Sequence, residues 1–319
     1  MPLGEFDLIT TYFAWPSRRA ALGNGDDCAL LAPAPGMQLA ISTDMLVEGR
    51  HFLSTVEPQR LGHKALAVNL SDLAACGARP LAFSLALAMP KVDEAFLAGF
   101  SRGLRALAEA HDCELIGGDT TAGPLNICIT VFGEVPAGQA LLRSGAKSGD
   151  DLYVSGETGD ARLALEVFRG TQTLDGAAFE AVRLRMEQPQ PRVALGLALR
   201  GVATSAIDVS DGLLGDLSHV LRASKVGALI EADALPRSEV LDGLPVTLRR
   251  EFGLAGGDDY ELLFTAPPSR REAVAAASRA AGVAVTRIGR IEAEPGLRLI
   301  DAQGAAIDAH YAAFDHFRT

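Results

Sequence analysis

Residues 206–217 read AIDVSDGLLGDL. An apolar strand runs into Asp208, Ser210 and Asp211 follow, and beyond Gly212 the leucine spacing turns helical. Strand interiors are poor in aspartate, and a buried carboxylate without a partner is costly or neutralises itself. Acids at the exit of a hydrophobic strand therefore need a reason.

Outward from this stretch the chain alternates strands and helices. Before it, MQLAIST (37–43) reads as a strand and 59–76 as a helix. LAFSLALAM (81–89) is apolar throughout and so reads as a strand buried on both faces. Residues 93–111 place Phe96, Leu97, Phe100, Leu104 and Leu107 on one helical stripe, and 126–135 is a third strand. Residues 136–150 are rich in Gly and Ser and mark a boundary between an N-terminal domain, 1–137, and a C-terminal α+β domain, 138–319. Beyond it, 151–168 reads strand–turn–helix and 190–200 helix. A strand at 227–232, the segment GGDDYELLFTA (256–266) and strands near 284–291 and 297–300 complete the pass. This alternation indicates an α/β or α+β protein with mixed sheets.

Bulk properties narrow the classes. At 319 residues, 48% apolar and 6% aromatic, the chain is globular and long enough for two domains. A net charge of −11 argues against nucleic acid as a partner, although divalent cations would let an acidic protein take a phosphorylated ligand. Cys28, Cys76, Cys113 and Cys128 form no C-x-x-C pair, so neither a zinc site nor a thioredoxin-like motif is expected, and a reduced cytoplasmic setting fits. MPLGEFDLIT does not read as a signal peptide, and no apolar run approaches the ~18 residues of a membrane span.

Acids beside Gly, Ser or Thr and next to apolar runs recur throughout. They are Asp26 and Asp27 in GNGDDCALL, Asp44 in LAISTDMLVEG, Asp72 in NLSDLAACG, Asp119 in LIGGDT, Asp208 and Asp211, and Asp258 and Asp259 in GGDDYELLF. One such aspartate is explained by helix capping or a turn, and capping suffices for Asp211, Asp216 or Asp160. A whole set converging on one place would repel strongly unless hard cations joined it, and Mg²⁺ suits a few carboxylates plus substrate phosphates. Ser42, Thr43 and Ser210 are compatible further ligands or phosphate donors.

The usual nucleotide motifs are missing. No G-x-x-x-x-G-K-[ST] loop, H-R-D or D-F-G occurs, and GNGDD does not follow a strand in G-x-G-x-x-G form. Other phosphate contacts are open to this chain, namely the amides of Gly117 and Gly118 and the side chain of Arg143. Arg143 reads equally as a solvated loop charge. His51 follows a strand end, a position that also suits a surface histidine, and Glu261 interrupts an apolar run where a strand could simply turn it to solvent.

In order along the chain, GDDCALL, STDMLVEGRHF, NLSDLAACGARP, LIGGDT, LRSGAKSGDDLYVSG, IDVSDGLLGDLSH and GGDDYELLF resemble the thiamine-monophosphate kinase family. That family lies within the aminoimidazole-ribonucleotide-synthetase-like ATP-binding superfamily. The resemblance runs from about residue 4 to FDHF near the C-terminus. It implies a two-domain fold whose N-terminal domain pairs its sheet with a second subunit, hence a homodimer. It also implies ATP-dependent phosphorylation of thiamine monophosphate with several Mg²⁺ ions. Matched by motif, Asp27, Thr43, Asp44, Asp72, Asp119, Asp208 and Asp211, with Ser42, are the implied metal ligands. Gly118, Asp119, Arg143 and Ser210 are the implied ATP contacts, and His51, Glu261 and Phe314 the implied substrate contacts. The last position is often Trp in the family, so Phe314 is a departure.

The acceptor in such a reaction is a phosphate monoester with a second pKa of ~6, largely a dianion at neutral pH and in no need of a general base. The obstacle is repulsion from ATP, which metal ions relieve while aligning the reactants. No Ser-His-Asp or Cys-His arrangement is evident, so direct transfer is expected, with no catalytic side chain beyond those that position metals and ligands. The nearest rivals, selenophosphate synthetase and the hydrogenase-maturation carbamoyl dehydratase, use an N-terminal reactive Cys or selenocysteine and a C-terminal Cys. Here the first cysteine is Cys28 and the chain ends FDHFRT.

Overall fold

A computed structural model describes residues 4–308 and 311. It divides into two compact units, Met1–Leu73 with Ala78–Gly138, and Ala74–Gly77 with Gln139–Thr319. Phe314 lies outside the described residues.

The first unit carries α1 (Glu5–Tyr12), β1 (Met37–Val47), α2 (Pro58–Ala75), β2 (Arg79–Met89), α3 (Glu94–Ala110), β3 (Glu114–Ala122) and β4 (Asn126–Pro136). Its strands form one sheet in the order β1-β4-β2-β3. The β2–β3 pair, joined through α3, is parallel, and the β1–β4 and β2–β4 pairs are antiparallel. Side chains alternate in β4, where Ile127, Ile129 and Val131 are buried while Cys128, Thr130 and Phe132 are half-buried. The stripe read on 93–111 is the buried face of α3, with Leu97, Phe100 and Leu104 fully enclosed. α2 and α3 approach so closely that a Cβ on Gly62 would stand 2.0 Å from the Phe100 carbonyl oxygen, and one on Gly103 1.8 Å from that of Gln59. Glycine at both positions is therefore a packing requirement.

β3 was not expected from the sequence. Paired glycines and polar residues in ELIGGDTTA hide its strand character, and parallel pairing with β2 supplies what propensity does not.

In the second unit, β5 (Asp151–Ser155), α4 (Asp160–Phe168), α5 (Gly176–Glu187), α6 (Val193–Leu199), β6 (Ser205–Asp208), α7 (Leu213–Ser224) and β7 (Gly227–Glu231) come first. A helix at Val246–Ala255, β8 (Leu262–Ala266), a helix at Arg271–Ala281, β9 (Val285–Glu292) and β10 (Gly296–Ile300) follow in that order. The sheet runs β10-β7-β9-β5-β8-β6 and is mixed, since β10–β7 is parallel and the other pairs are antiparallel. Leu213, Leu217, Val220 and Leu221 of α7 share a core with Val154, Ile207, Leu263 and Ile288 from the strands. A second core joins Leu163 and Ala164 of α4 to Val182 and Met186 of α5. α5 was not anticipated. It starts at an Asp175 cap, whose carboxylate accepts the Ala178 N–H at 2.8 Å.

Among the described residues no helix is long and apolar enough to cross a membrane.

Candidate functional site

In the first unit, the acids fall into two groups. β1 is an edge strand, and α2 lies over the face that carries Ser42. The Ser42 hydroxyl donates to the Asp72 carboxylate, and Asn69, one turn earlier on α2, accepts the Asp44 backbone N–H at 3.0 Å. This brings Ser42, Asp44 and Asp72 together on one strand–helix seam. Thr43 projects to the opposite, open face and meets the Thr130 hydroxyl at 2.9 Å. His51 lies in the turn after β1. Its Nδ1 accepts the Val47 N–H at 3.0 Å, which leaves the neutral ring with its proton on Nε2.

The second group lines a cavity of about 810 Å³ that includes Asp27, Gly117, Gly118, Asp119 and Phe132. Asp27 is exposed at the end of a tight turn, where its N–H reaches the Asp26 carboxylate at 2.9 Å. Gly118 has φ 151°, and a Cβ there would stand 1.9 Å from the Leu85 carbonyl oxygen. No side chain fits between β3 and β2 at that point. The exposed carboxylate of Asp119 follows immediately, so a bare backbone and an acid face the same space.

In the second unit, the opening stretch and GGDDYELLF are side by side. Val209 N–H donates to the Glu261 carbonyl, Tyr260 N–H to that of Val209 and Asp258 N–H to that of Ser210, each at 2.8 Å. Gly257, Asp258 and Tyr260 all have positive φ, at 76°, 61° and 52°. Such a run of left-handed residues is uncommon outside glycine, and it persists where surrounding contacts over-determine it. Asp208 ends β6 as a buried acid, as the sequence indicated, while Ser210 and Asp211 are half-exposed beyond it.

Three acids differ from the simple expectations. Asp216 does not cap the first turn of α7; its carboxylate accepts the N–H groups of Ser210 (3.0 Å) and Asp211 (3.1 Å), ahead of the helix. Burial, with the charge of Asp211 nearby, pushes the Asp216 carboxyl up to about 7. Asp160 begins α4 but accepts the Ser238 hydroxyl at 2.6 Å instead of capping, and burial raises its pKa. Glu261 is not turned to solvent. Only 1% exposed, it accepts from Ser155 (2.5 Å), Arg185 (2.9 Å) and both Nε (2.6 Å) and Nη2 of Arg192. Beside it, burial drives the Asp259 carboxyl far above the carboxylate range, and one of its oxygens accepts the Gly159 N–H at 2.9 Å.

Arg143 is exposed on a segment tied to β6 and α7. Ala206 N–H donates to the Leu142 carbonyl, and the Ser224 hydroxyl donates to the Arg143 carbonyl. Its charge is felt at Asp216 and His219.

The donors are hard oxygens, which suits Mg²⁺. Among the described residues, however, no three His, Cys, Asp or Glu side chains form a ready metal cluster. The two facts are compatible, because Mg²⁺ keeps waters and is held by one or two carboxylates together with phosphates. The sequence does not single out the supporting residues Arg185, Arg192 and Ser155, and it points to Asp216 only as a helix cap. A signal exists for Ser155, which ends a buried strand in LYVSG; Arg185 lies on α5 and Arg192 just before α6, where charge is ordinary.

Residues 25–135 match the AIR synthase related protein N-terminal domain, and residues 138–302 match the C-terminal domain of the same family. The thiamine-monophosphate kinase of Salmonella typhimurium (strain LT2) is 45% identical over 329 residues, covering 100% of both chains. The chain belongs to the thiamine-monophosphate kinase family. A crystal structure of a family member from Stenotrophomonas maltophilia K279a superposes with TM-score 0.87 at 44% identity, covering 96% of this chain and 99% of that one. AaThiL complexed with AMPPCP and TMP superposes with TM-score 0.78 at 29% identity, covering 90% and 89%. The two-domain AIR-synthase-like fold and the family inferred from motif order are thus both borne out.

Proposed function

We propose that this chain transfers the terminal phosphoryl group of ATP to thiamine monophosphate, giving thiamine diphosphate, the last step in making that cofactor. The likeness over nearly the whole chain to AaThiL, complexed with AMPPCP and TMP, carries this reading, because it pairs an ATP analogue with the acceptor. Family relatives at 45–46% identity over the full length support it.

Asp27, Thr43, Asp44, Asp72, Asp119, Asp208 and Asp211, with Ser42, are the proposed Mg²⁺ ligands. Bound Mg²⁺ would neutralise the charge that keeps ATP and the acceptor apart. Gly117, where an added Cβ would meet nothing within 4 Å, leaves β3 open beside Gly118, and Gly118, Asp119, Arg143 and Ser210 are the proposed ATP contacts. His51, whose ring Nδ1 accepts the Val47 N–H, and Glu261 are proposed substrate contacts together with Phe314, which lies outside the described residues. The acceptor phosphate is its own nucleophile at neutral pH. The chain's part is to position and to hold charge, and transfer is direct and in line, with no phosphoenzyme.

A cytoplasmic homodimer is the proposed form. Leu39, Ile41 and Met45 expose 39%, 60% and 53% of their surface along one face of edge strand β1, an apolar row that a second copy would cover. Light scattering at the mass of two chains supports that form, and a monomer at micromolar concentration excludes it.

Incubation with ATP, Mg²⁺ and thiamine monophosphate is expected to yield thiamine diphosphate, resolved by chromatography. ATP binding with no product would overturn the reading.

A further inference from the structure

We infer that Asp216 is a positioning residue for the Mg-ATP end of the reaction, holding the 208–211 turn in the shape that presents Ser210 and Asp211. This rests on the reading above only in taking those two residues as ligand contacts.

α7 begins at Leu213, with Gly212 as its cap at φ 109° and no capping side chain. Asp216 stands in the fourth helical position, where a side chain has no role in satisfying the first-turn N–H groups of its own helix. Its carboxylate instead reaches back, and one oxygen accepts two consecutive N–H groups, those of Ser210 and Asp211, at 3.0 and 3.1 Å. Asp216 is 4% exposed, so these are bonds to an acceptor shielded from water. The carbonyls of the same turn are occupied from the other side, since Val209 and Ser210 accept the N–H groups of Tyr260 and Asp258. A Cβ on Gly212 would come within 2.9 Å of Ala255, and one on Gly257 within 2.9 Å of the Ser210 carbonyl oxygen, so the turn has no room to relax sideways.

With both amides drawn inward, neither is available to a ligand. The half-exposed side chains of Ser210 and Asp211 are what the turn offers. A short turn leaving a strand with one bond per amide to the same carboxylate is rigid, and rigidity at this point sets the geometry of the ligand contacts. Asp216 is not among the proposed ligand contacts. It acts through its two neighbours.

The test compares Asp216→Asn, which keeps an oxygen for both amides at the same volume, with Asp216→Leu, which keeps the branched shape, is somewhat larger and removes the acceptor. Mg-ATP affinity is measured by calorimetry without acceptor, alongside backbone hydrogen exchange of the peptide spanning 206–217 and the KM for each substrate. The expected result is a roughly ten- to hundredfold weaker Mg-ATP affinity in Asp216→Leu, faster exchange in that peptide, and a KM for thiamine monophosphate within about threefold of wild type. Asp216→Asn is expected within about threefold of wild type throughout. Equal losses in the two variants would overturn the inference, as would unchanged Mg-ATP affinity in Asp216→Leu or exchange confined to its wild-type rate. Should Asp216→Leu fail to fold, Asp216→Ser, too short to reach either amide, carries the same prediction. Wild-type protein that binds Mg-ATP but does not phosphorylate thiamine monophosphate would sink the substrate reading alone, since the binding comparison needs no acceptor.

Discussion

The acids of the first unit and those of the second meet water in opposite ways. Asp27 and Asp119 are exposed beside a cavity, and Asp44 and Asp72 are half-buried along an edge strand. Asp208, Asp216, Asp259 and Glu261 are all under 9% exposed and are embedded among backbone amides, hydroxyls and arginines. In the first group the carboxylates keep contact with water, so their desolvation costs the fold less. In the second, desolvation has to be offset inside the protein, and the partners that offset it also fix geometry. One region thus supplies accessible charge and the other a rigid frame. Substitutions are expected to separate activity from stability along that line.

The largest effect belongs to the frame. Glu261→Gln leaves Arg185 and Arg192 facing each other without a counter-charge, and about 3–5 kcal/mol of stability should be lost, read as a lower urea midpoint at unchanged slope. A midpoint near wild type would show that the arginines find water instead. Next comes the accessible side. Asp44→Asn should lower turnover by roughly 10²–10³-fold, the loss of several kcal/mol of charge stabilisation, with the melting temperature essentially unmoved. Near wild-type activity would remove Asp44 from the metal ligands.

Gly118→Ala tests whether the first unit is as open as its acids suggest. The added Cβ meets the Leu85 carbonyl oxygen, so a loss of about 1–3 kcal/mol is expected together with weaker ATP binding. Unchanged stability would mean that β3 can move away from β2 at no cost.

The smallest effect is a pH dependence in the second unit. Hydrogen bonds from Arg271, then burial acting the other way, leave the Asp151 carboxyl below its ordinary pKa. A depressed native pKa contributes stability that is fully present above the unfolded value of about 3.9 and is lost as pH falls through the native value. Arg271→Met removes most of that contribution, which is small because Arg271 is exposed, so the neutral-pH midpoint should fall slightly and acid unfolding followed by circular dichroism should begin at higher pH. An unmoved acid limb would assign acid unfolding to other carboxylates.

Much of this molecule was legible in its residues. The stripe Phe96–Leu107 specified α3, and the apolar run 81–89 specified a buried strand. The order of the acid-bearing motifs identified the family. β3 was illegible because Gly117 and Gly118 suit a close backbone approach that only pairing with β2 reveals. The placement of Glu261 was illegible for another reason. Its partners Ser155, Arg185 and Arg192 lie 106, 76 and 69 residues away, and local patterning carries no information about them.

AIDVSDGLLGDL shows the same division at short range. By itself the sequence determined that a strand ends at Asp208, that a helix begins after Gly212, and that acids cluster at the junction, because periodicity and glycine conformation are local properties. Only the tertiary structure decided which acid serves the surface and which serves the backbone. Asp211 and Asp216 are both aspartates near a helix start, yet burial against the β6 exit turns Asp216 inward to two amides and leaves Asp211 half-exposed. The direction of a carboxylate depends on which donors the fold brings within hydrogen-bonding reach, and those are set by packing across the sheet.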